Sequence, residues 1–113
     1  MPQVGEIVLA AFPFTDLSGS KRRPCLVLAE AESRGDFVCA FATTAAPARF
    51  TQFGVLVAPS HPQWHQIRLK GSSVVRADKL CTLNSCLMSG RVGVLPIGLF
   101  MAVRQELKRL LGL

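Results

Sequence analysis

Apolar and polar positions fall into short blocks along the first three quarters of the chain. Residues 5–12 (GEIVLAAF) read as a strand, and Pro13, which has no N–H to give a ladder, breaks it. Residues 15–23 (TDLSGSKRR) are polar turn-formers around Gly19. Residues 24–31 (PCLVLAEA) are rich in Leu and Val and predict a second strand, paired with the first as a hairpin across a long loop. Residues 36–44 and 53–58 predict two more strands, and 73–76, 79–83 and 90–94 short further ones. Residues 60–71 show no period. The period then changes: Phe100, Val103, Leu107, Leu110 and Leu111 recur at helical spacing. Pro96 suits the first helical position and Gly112 the end.

Five to seven short strands followed by one helix predict a mostly β (α+β) fold, a small antiparallel barrel with a C-terminal helix packed on it. The 113 residues suffice for one domain, taken as 1–113. Half of the chain is apolar and 18% is charged, a globular composition. No apolar run approaches a membrane span, and the first residues carry no secretory pattern. Cys25, Cys39, Cys81 and Cys86 form no CxxC pair. They are read as reduced thiols of a cytoplasmic protein.

The net charge of +6 calls for a polyanionic partner without choosing one. Its distribution says more. Residues 1–48 carry four cations against five acids. Residues 49–91 carry Arg49, Arg68, Lys70, Arg76, Lys79 and Arg91 against Asp78 alone, and the remainder three cations against one acid. The helix charges Arg104, Lys108 and Arg109 read as a solvated face.

Four places could carry chemistry. The 17–23 loop collects Ser18, Ser20, Lys21, Arg22 and Arg23, a set of hydroxyls and cations suited to a phosphate backbone. Arg23 precedes Pro24, so its backbone is held extended at the root of a strand. It is also readable as a gatekeeper charge flanking that strand, on a solvated turn. Thr43 and Thr44 close the third strand, either as caps or facing a pocket mouth. His61 and His65 flank Trp64. They could act as an acid–base pair or belong to a surface loop whose tryptophan covers the core, and their spacing around Pro62 does not suit a metal pair. The Arg76–Asp78–Lys79 cluster is an ion pair or a phosphate contact.

The blocks Gly5-Glu6-Ile7-Val8, Phe12 to Pro24 (FPFTDLSGSKRRP), Leu26-Val27-Leu28, Ala42-Thr43-Thr44, Ser73 to Leu80 (SVVRADKL) and Gly90-Arg91-Val92 resemble, in order, the MazF/PemK family of type II toxin–antitoxin toxins. The resemblance implies an SH3-like barrel with a C-terminal helix, usually a homodimer. It implies metal-independent, sequence-specific cleavage of single-stranded mRNA, to 2′,3′-cyclic phosphate and 5′-OH ends, with no cofactor. The family's catalytic arginine matches Arg23 and its catalytic threonine Thr43. Ser18, Ser20, Lys21, Arg22, Thr44, Arg49, Arg76 and Lys79 are then candidate RNA contacts. A cognate acidic antitoxin is the implied protein partner, with DNA reached only through it and no membrane. The chain departs from the commoner pattern at Arg68-Leu69 and Ser72, where relatives often carry Gly-Leu and Pro. Two other readings fit the same fold: a gyrase-poison-like toxin and a non-catalytic RNA-binding barrel.

Overall fold

Residues 1–11, 22–44 and 52–113 are described by a computed structural model. Six strands form one sheet: β1 (Glu6–Ala11), β2 (Arg22–Glu30), β3 (Asp36–Thr43), β4 (Gly54–Val57), β5 (Ser73–Asn84) and β6 (Met88–Val94). The spatial order is β4-β5-β3-β2-β1-β6, with every pairing antiparallel. A four-residue helix α1 (Trp64–Ile67) precedes β5, and the long helix α2 (Ile97–Leu111) ends the chain.

Pleat alternation sorts the apolar side chains onto two faces. On one face Ile7, Leu26, Ala40, Ala42 and Val75 pack with Val57, Ile67, Leu69, Leu95 and Val103. That cluster joins α1 and α2 to the sheet. On the other face Val8, Ala10, Cys25, Val27, Phe37, Cys39, Phe41 and Leu83 form a second cluster. A sheet buried on both faces must curl over one of them. Register shifts supply the bends, in β1 against β6, in β2 against β3 and in β3 against β5. The result is the expected small barrel, with β4 and β6 at the two ends of the strand order.

Two expected strands are one. Residues 73–76 and 79–83 both belong to β5, which continues through a bulge. Ala40 faces Leu80 and Ala42 faces Val75, so Arg76, Ala77, Asp78 and Lys79 stand opposite Phe41. The Ala77 side chain is fully buried and its N–H donates to the Phe53 carbonyl at 3.0 Å. These contacts hold the strand together where the polar run Arg76–Lys79 had suggested a break.

The terminal helix follows its apolar period, with Val103 buried. Pro96 lies one residue outside it, with ψ 148, and its carbonyl accepts from Phe100 N–H. Gly112 closes the helix at φ 73, a left-handed turn that disfavours any Cβ. Arg109 is not a purely solvated charge. Its guanidinium lies 4.4 Å from the Phe53 ring centroid, pairs with Glu106 and donates to the Gln52 carbonyl. It ties the helix to the entry of β4. No helix among the described residues is long and apolar enough to cross a membrane.

Candidate nucleic-acid interface at the open end of β2 and β3

The β1–β2–β3 register sets the site. Val8 faces Cys25, Ala10 faces Arg23, and Cys25 faces Phe41. Arg23 and Thr43 each lie two residues beyond the Cys25–Phe41 pair, toward the same end of the sheet. Period 2 turns both side chains to the face of Cys25 and Phe41. The Arg23 guanidinium carbon sits 5.5 Å from the Phe41 ring centroid, within cation–π range. Arg23 is half-buried and Thr43 is 7% exposed. Among the described residues the arginine is therefore held by an aromatic face rather than by a carboxylate. That leaves its N–H edge chemically available to an anion, since the ring contact uses the guanidinium plane.

Behind this pair the floor is apolar. Cys25 and Cys39 are fully buried, and a hydrogen bond to the Cys39 sulfur, together with burial, pushes the Cys25 thiol well above the ordinary cysteine range. Burial likewise raises Cys81, which faces Cys39 across the β3–β5 ladder. The same Cys25–Cys39 hydrogen bond lowers the Cys39 thiol, against an opposing effect of burial. All four cysteines are free.

The bulge of β5 adds Arg76 and Lys79 opposite Phe41. Arg76 is engaged by Asp78 in a two-pronged ion pair, at 3.1 and 2.8 Å. The hydrogen bond from Arg76 holds the Asp78 carboxyl below the ordinary aspartate range. The ion-pair reading of this cluster is thus realised.

Arg22 and Thr44 are adjacent in sequence to Arg23 and Thr43 but turn to the opposite face. With Pro24, Leu69, Lys70 and Ser72 they border a groove of about 610 Å³. Arg22 Nη1 donates to the Leu87 carbonyl at 3.1 Å. Ser18, Ser20, Lys21 and Arg49 lie outside the described residues. Among those described, no three His, Cys, Asp or Glu side chains converge as a metal site. The histidines are separated in role: His61 precedes α1 and its Nδ1 accepts from Gln63 N–H at 3.0 Å, while His65 lies within the helix. Trp64 packs against the first core cluster, as a core-covering tryptophan does.

Comparison with known families decides what this arrangement belongs to. The model of the PemK-like, MazF-like toxins of type II toxin–antitoxin systems matches residues 3–111. The chain belongs to this family. Among solved structures, MazF from Deinococcus radiodurans is 28% identical, with a TM-score of 0.74, covering 99% of this chain and 97% of that one. A MazE–MazF complex from the same organism is 27% identical, with a TM-score of 0.74 over 99% of this chain and 96% of that one. A mycobacterial endoribonuclease bound to its cognate antitoxin shares the fold, at 22% identity and a TM-score of 0.74, covering 100% of this chain and 97% of that one. Comparison with curated proteins gave no significant match.

Two features of the toxin's site were not read from its sequence. Phe41 was available by parity, since it lies two residues before Thr43 on the same strand face. Arg68 and Lys70 counted toward the mid-chain charge, but only the folded chain brings them beside Arg22 and Thr44.

Proposed function

We infer that this toxin is an endoribonuclease that cuts single-stranded RNA, mRNA above all, and so arrests translation and growth. The observation that carries the reading is Arg23 seated over Phe41 on the strand face it shares with Thr43. The endoribonuclease likeness in fold supports it. In this reaction the RNA's own 2′-oxygen attacks the adjacent phosphorus. The P–O5′ bond breaks, giving a 2′,3′-cyclic phosphate and a 5′-OH. The 2′-hydroxyl gives up its proton and the departing 5′-oxygen gains one. Between these states the phosphoryl oxygens carry extra negative charge. A planar guanidinium fits that charge with two parallel N–H donors. Arg23 therefore stabilises the transition state first. Proton transfer is its weaker suit, because a guanidinium does not readily give up its proton. Thr43 donates its hydroxyl proton to a phosphoryl oxygen.

The remaining members of the reading are Ser18, Ser20, Lys21, Arg22, Thr44, Arg49, Arg76 and Lys79 as RNA contacts, with no metal or cofactor in the reaction. The protein acts in the cytoplasm as a single-domain homodimer. Its activity is restrained by a cognate acidic antitoxin, through which DNA is contacted. Antitoxin-bound MazF structures support that partner.

Incubation of the purified toxin with a long RNA in excess EDTA tests the reading. The expected products carry cyclic phosphate ends and vanish with Arg23→Ala. Binding without cleavage would identify a non-catalytic RNA module, and neither would identify a protein-directed poison. Cleavage by Arg23→Ala but not by the His61→Ala/His65→Ala double variant would transfer the chemistry to the histidines.

A further inference from the structure

Arg68 is the sole non-glycine residue among those described with a positive φ (62, with ψ 22). A side chain with a Cβ is strained in this region relative to ordinary backbone, and glycine would avoid the strain. Arg68 occupies it as the C-cap of α1, its N–H directed at the Trp64 carbonyl. The residues on either side, Ile67 and Leu69, are buried. Gly93 of β6 presses against this turn: a Cβ there would collide with the backbone carbonyls of Gln66 and Ile67. The root of the Arg68 side chain is thus fixed from three directions, while the residue itself is exposed.

Two grooves meet at this residue. The one of about 610 Å³ reaches it from Arg22 and Thr44. A second, of about 670 Å³, runs on from it past His65 to Arg91. The two share Arg68 and Val92. Arg22, Arg68, Lys70 and Arg91 therefore border one continuous surface. Arg91 is paired with Glu6 at 3.1 Å. Neither Arg68 nor Lys70 has an ion-pair partner among the described residues. Cations in a row along one groove, Arg68 and Lys70 among them without an ion-pair partner among the described residues, suit a repeating polyanion rather than a single ion. The groove also begins at the sequence neighbours of Arg23 and Thr43, so a chain leaving that pair around the end of β2 and β3 enters it directly.

We propose that Arg68 anchors a flanking-phosphate subsite, with Lys70 and Arg22, for single-stranded RNA extending beyond the scissile bond. This rests on the endoribonuclease reading for the scissile end and on the groove's own charge for the rest. Arg68 is a binding residue that sets how much RNA the toxin grips, and it takes no part in bond cleavage.

Arg68→Gly is the decisive variant, because glycine accepts the left-handed backbone and only the side chain is lost. Two RNAs are compared: a minimal oligonucleotide around a mapped cut, and one extended by several nucleotides on both sides. For the extended RNA, KM is expected to rise about tenfold with kcat unchanged, and the slope of log K against log salt to flatten by about 0.7, one phosphate contact. The minimal RNA should show no change, and Arg68→Lys should recover most of the loss. Affinity is also measured with an uncleavable 2′-O-methyl version of the extended RNA. If wild-type toxin binds that RNA but cuts nothing, the endoribonuclease reading falls, and a flattened slope in Arg68→Gly still upholds the groove. An unchanged KM and salt slope in Arg68→Gly, an equal effect on both RNAs, or no binding of the extended RNA by wild type overturns the proposal.

Discussion

Arg22 and Arg23 are neighbours in the chain and opposites in the molecule. Arg23 lies on the Phe41 face, half-buried, its guanidinium over a ring. Arg22 lies on the groove face, exposed, reaching the Leu87 carbonyl beside Thr44 and Lys70. The same one-residue step separates Thr43 from Thr44, the first nearly buried and the second exposed. A strand pleat has divided one basic, hydroxylated segment into two surfaces. The first offers few, fixed groups of the kind a transition state needs. The second offers cations without an ion-pair partner among the described residues, of the kind a polyanion needs.

Swapping the two arginines' fates is the strongest way to break this contrast. Arg23→Ala is expected to lower kcat about 10³-fold, the scale of losing a cation at a phosphoryl centre, with the circular dichroism spectrum unchanged. Arg22→Ala is expected to raise KM several-fold and leave kcat within about twofold. Single-turnover cleavage measured over a range of RNA concentrations separates the two. Equal kcat losses would mean that both faces serve one centre.

The threonines repeat the contrast at smaller scale. Thr43→Val removes a hydroxyl with little change of shape and should cost about 10² in kcat. Thr44→Val should change binding by no more than about 1 kcal/mol, since an exposed hydrogen bond contributes little net. The same kinetic assay reads both.

How much of this was legible beforehand depends on the range of the interaction. The strands and the terminal helix follow from local period, so β1 to β3 and α2 were found near their observed limits. The nearness of Arg23 to Thr43 is a matter of register between strands distant in sequence, and only the family resemblance supplied it. The continuity of β5 was hidden because its bulge carries Arg76, Asp78 and Lys79, polar residues that imitate a turn. Four residues of α1 after Pro62 are too few to declare a helical period. Arg109 seemed solvated because Phe53, its aromatic partner, lies just before a strand far away in the chain.

Gly93 tests whether the groove face is as built as the Phe41 face. Gly93→Ala would drive a methyl group into the α1 turn. Overpacking of this kind costs about 1–3 kcal/mol, visible as a lower urea midpoint. Because the displaced turn carries Arg68, RNA affinity should fall with stability. The Arg23-dependent kcat should hold at temperatures where the protein remains folded. A drop in kcat with no change in KM would couple the faces that the pleat separates.

The smallest effect concerns Asp78, which occupies Arg76 on the bulge opposite Phe41. Its carboxyl is held below the ordinary aspartate range chiefly by the hydrogen bond from Arg76, against a smaller opposing effect of burial. A group whose folded pKa is depressed adds stability above its unfolded pKa and loses it as pH falls through the folded value. The Asp78–Arg76 pair should therefore contribute fully at neutral pH and fade below about pH 4. Asp78 side-chain exposure of 34% limits the contribution to less than about 1 kcal/mol. Urea unfolding of Asp78→Asn should show that small deficit at neutral pH and a shrinking one as pH falls below about 4. The same variant releases Arg76 from its ion pair. If Arg76 contacts phosphate on the Phe41 face, RNA should then bind slightly more tightly and with a steeper salt dependence. Unchanged RNA binding in Asp78→Asn would leave Arg76 a brace of the β5 bulge and Arg23 the cation that meets the substrate there.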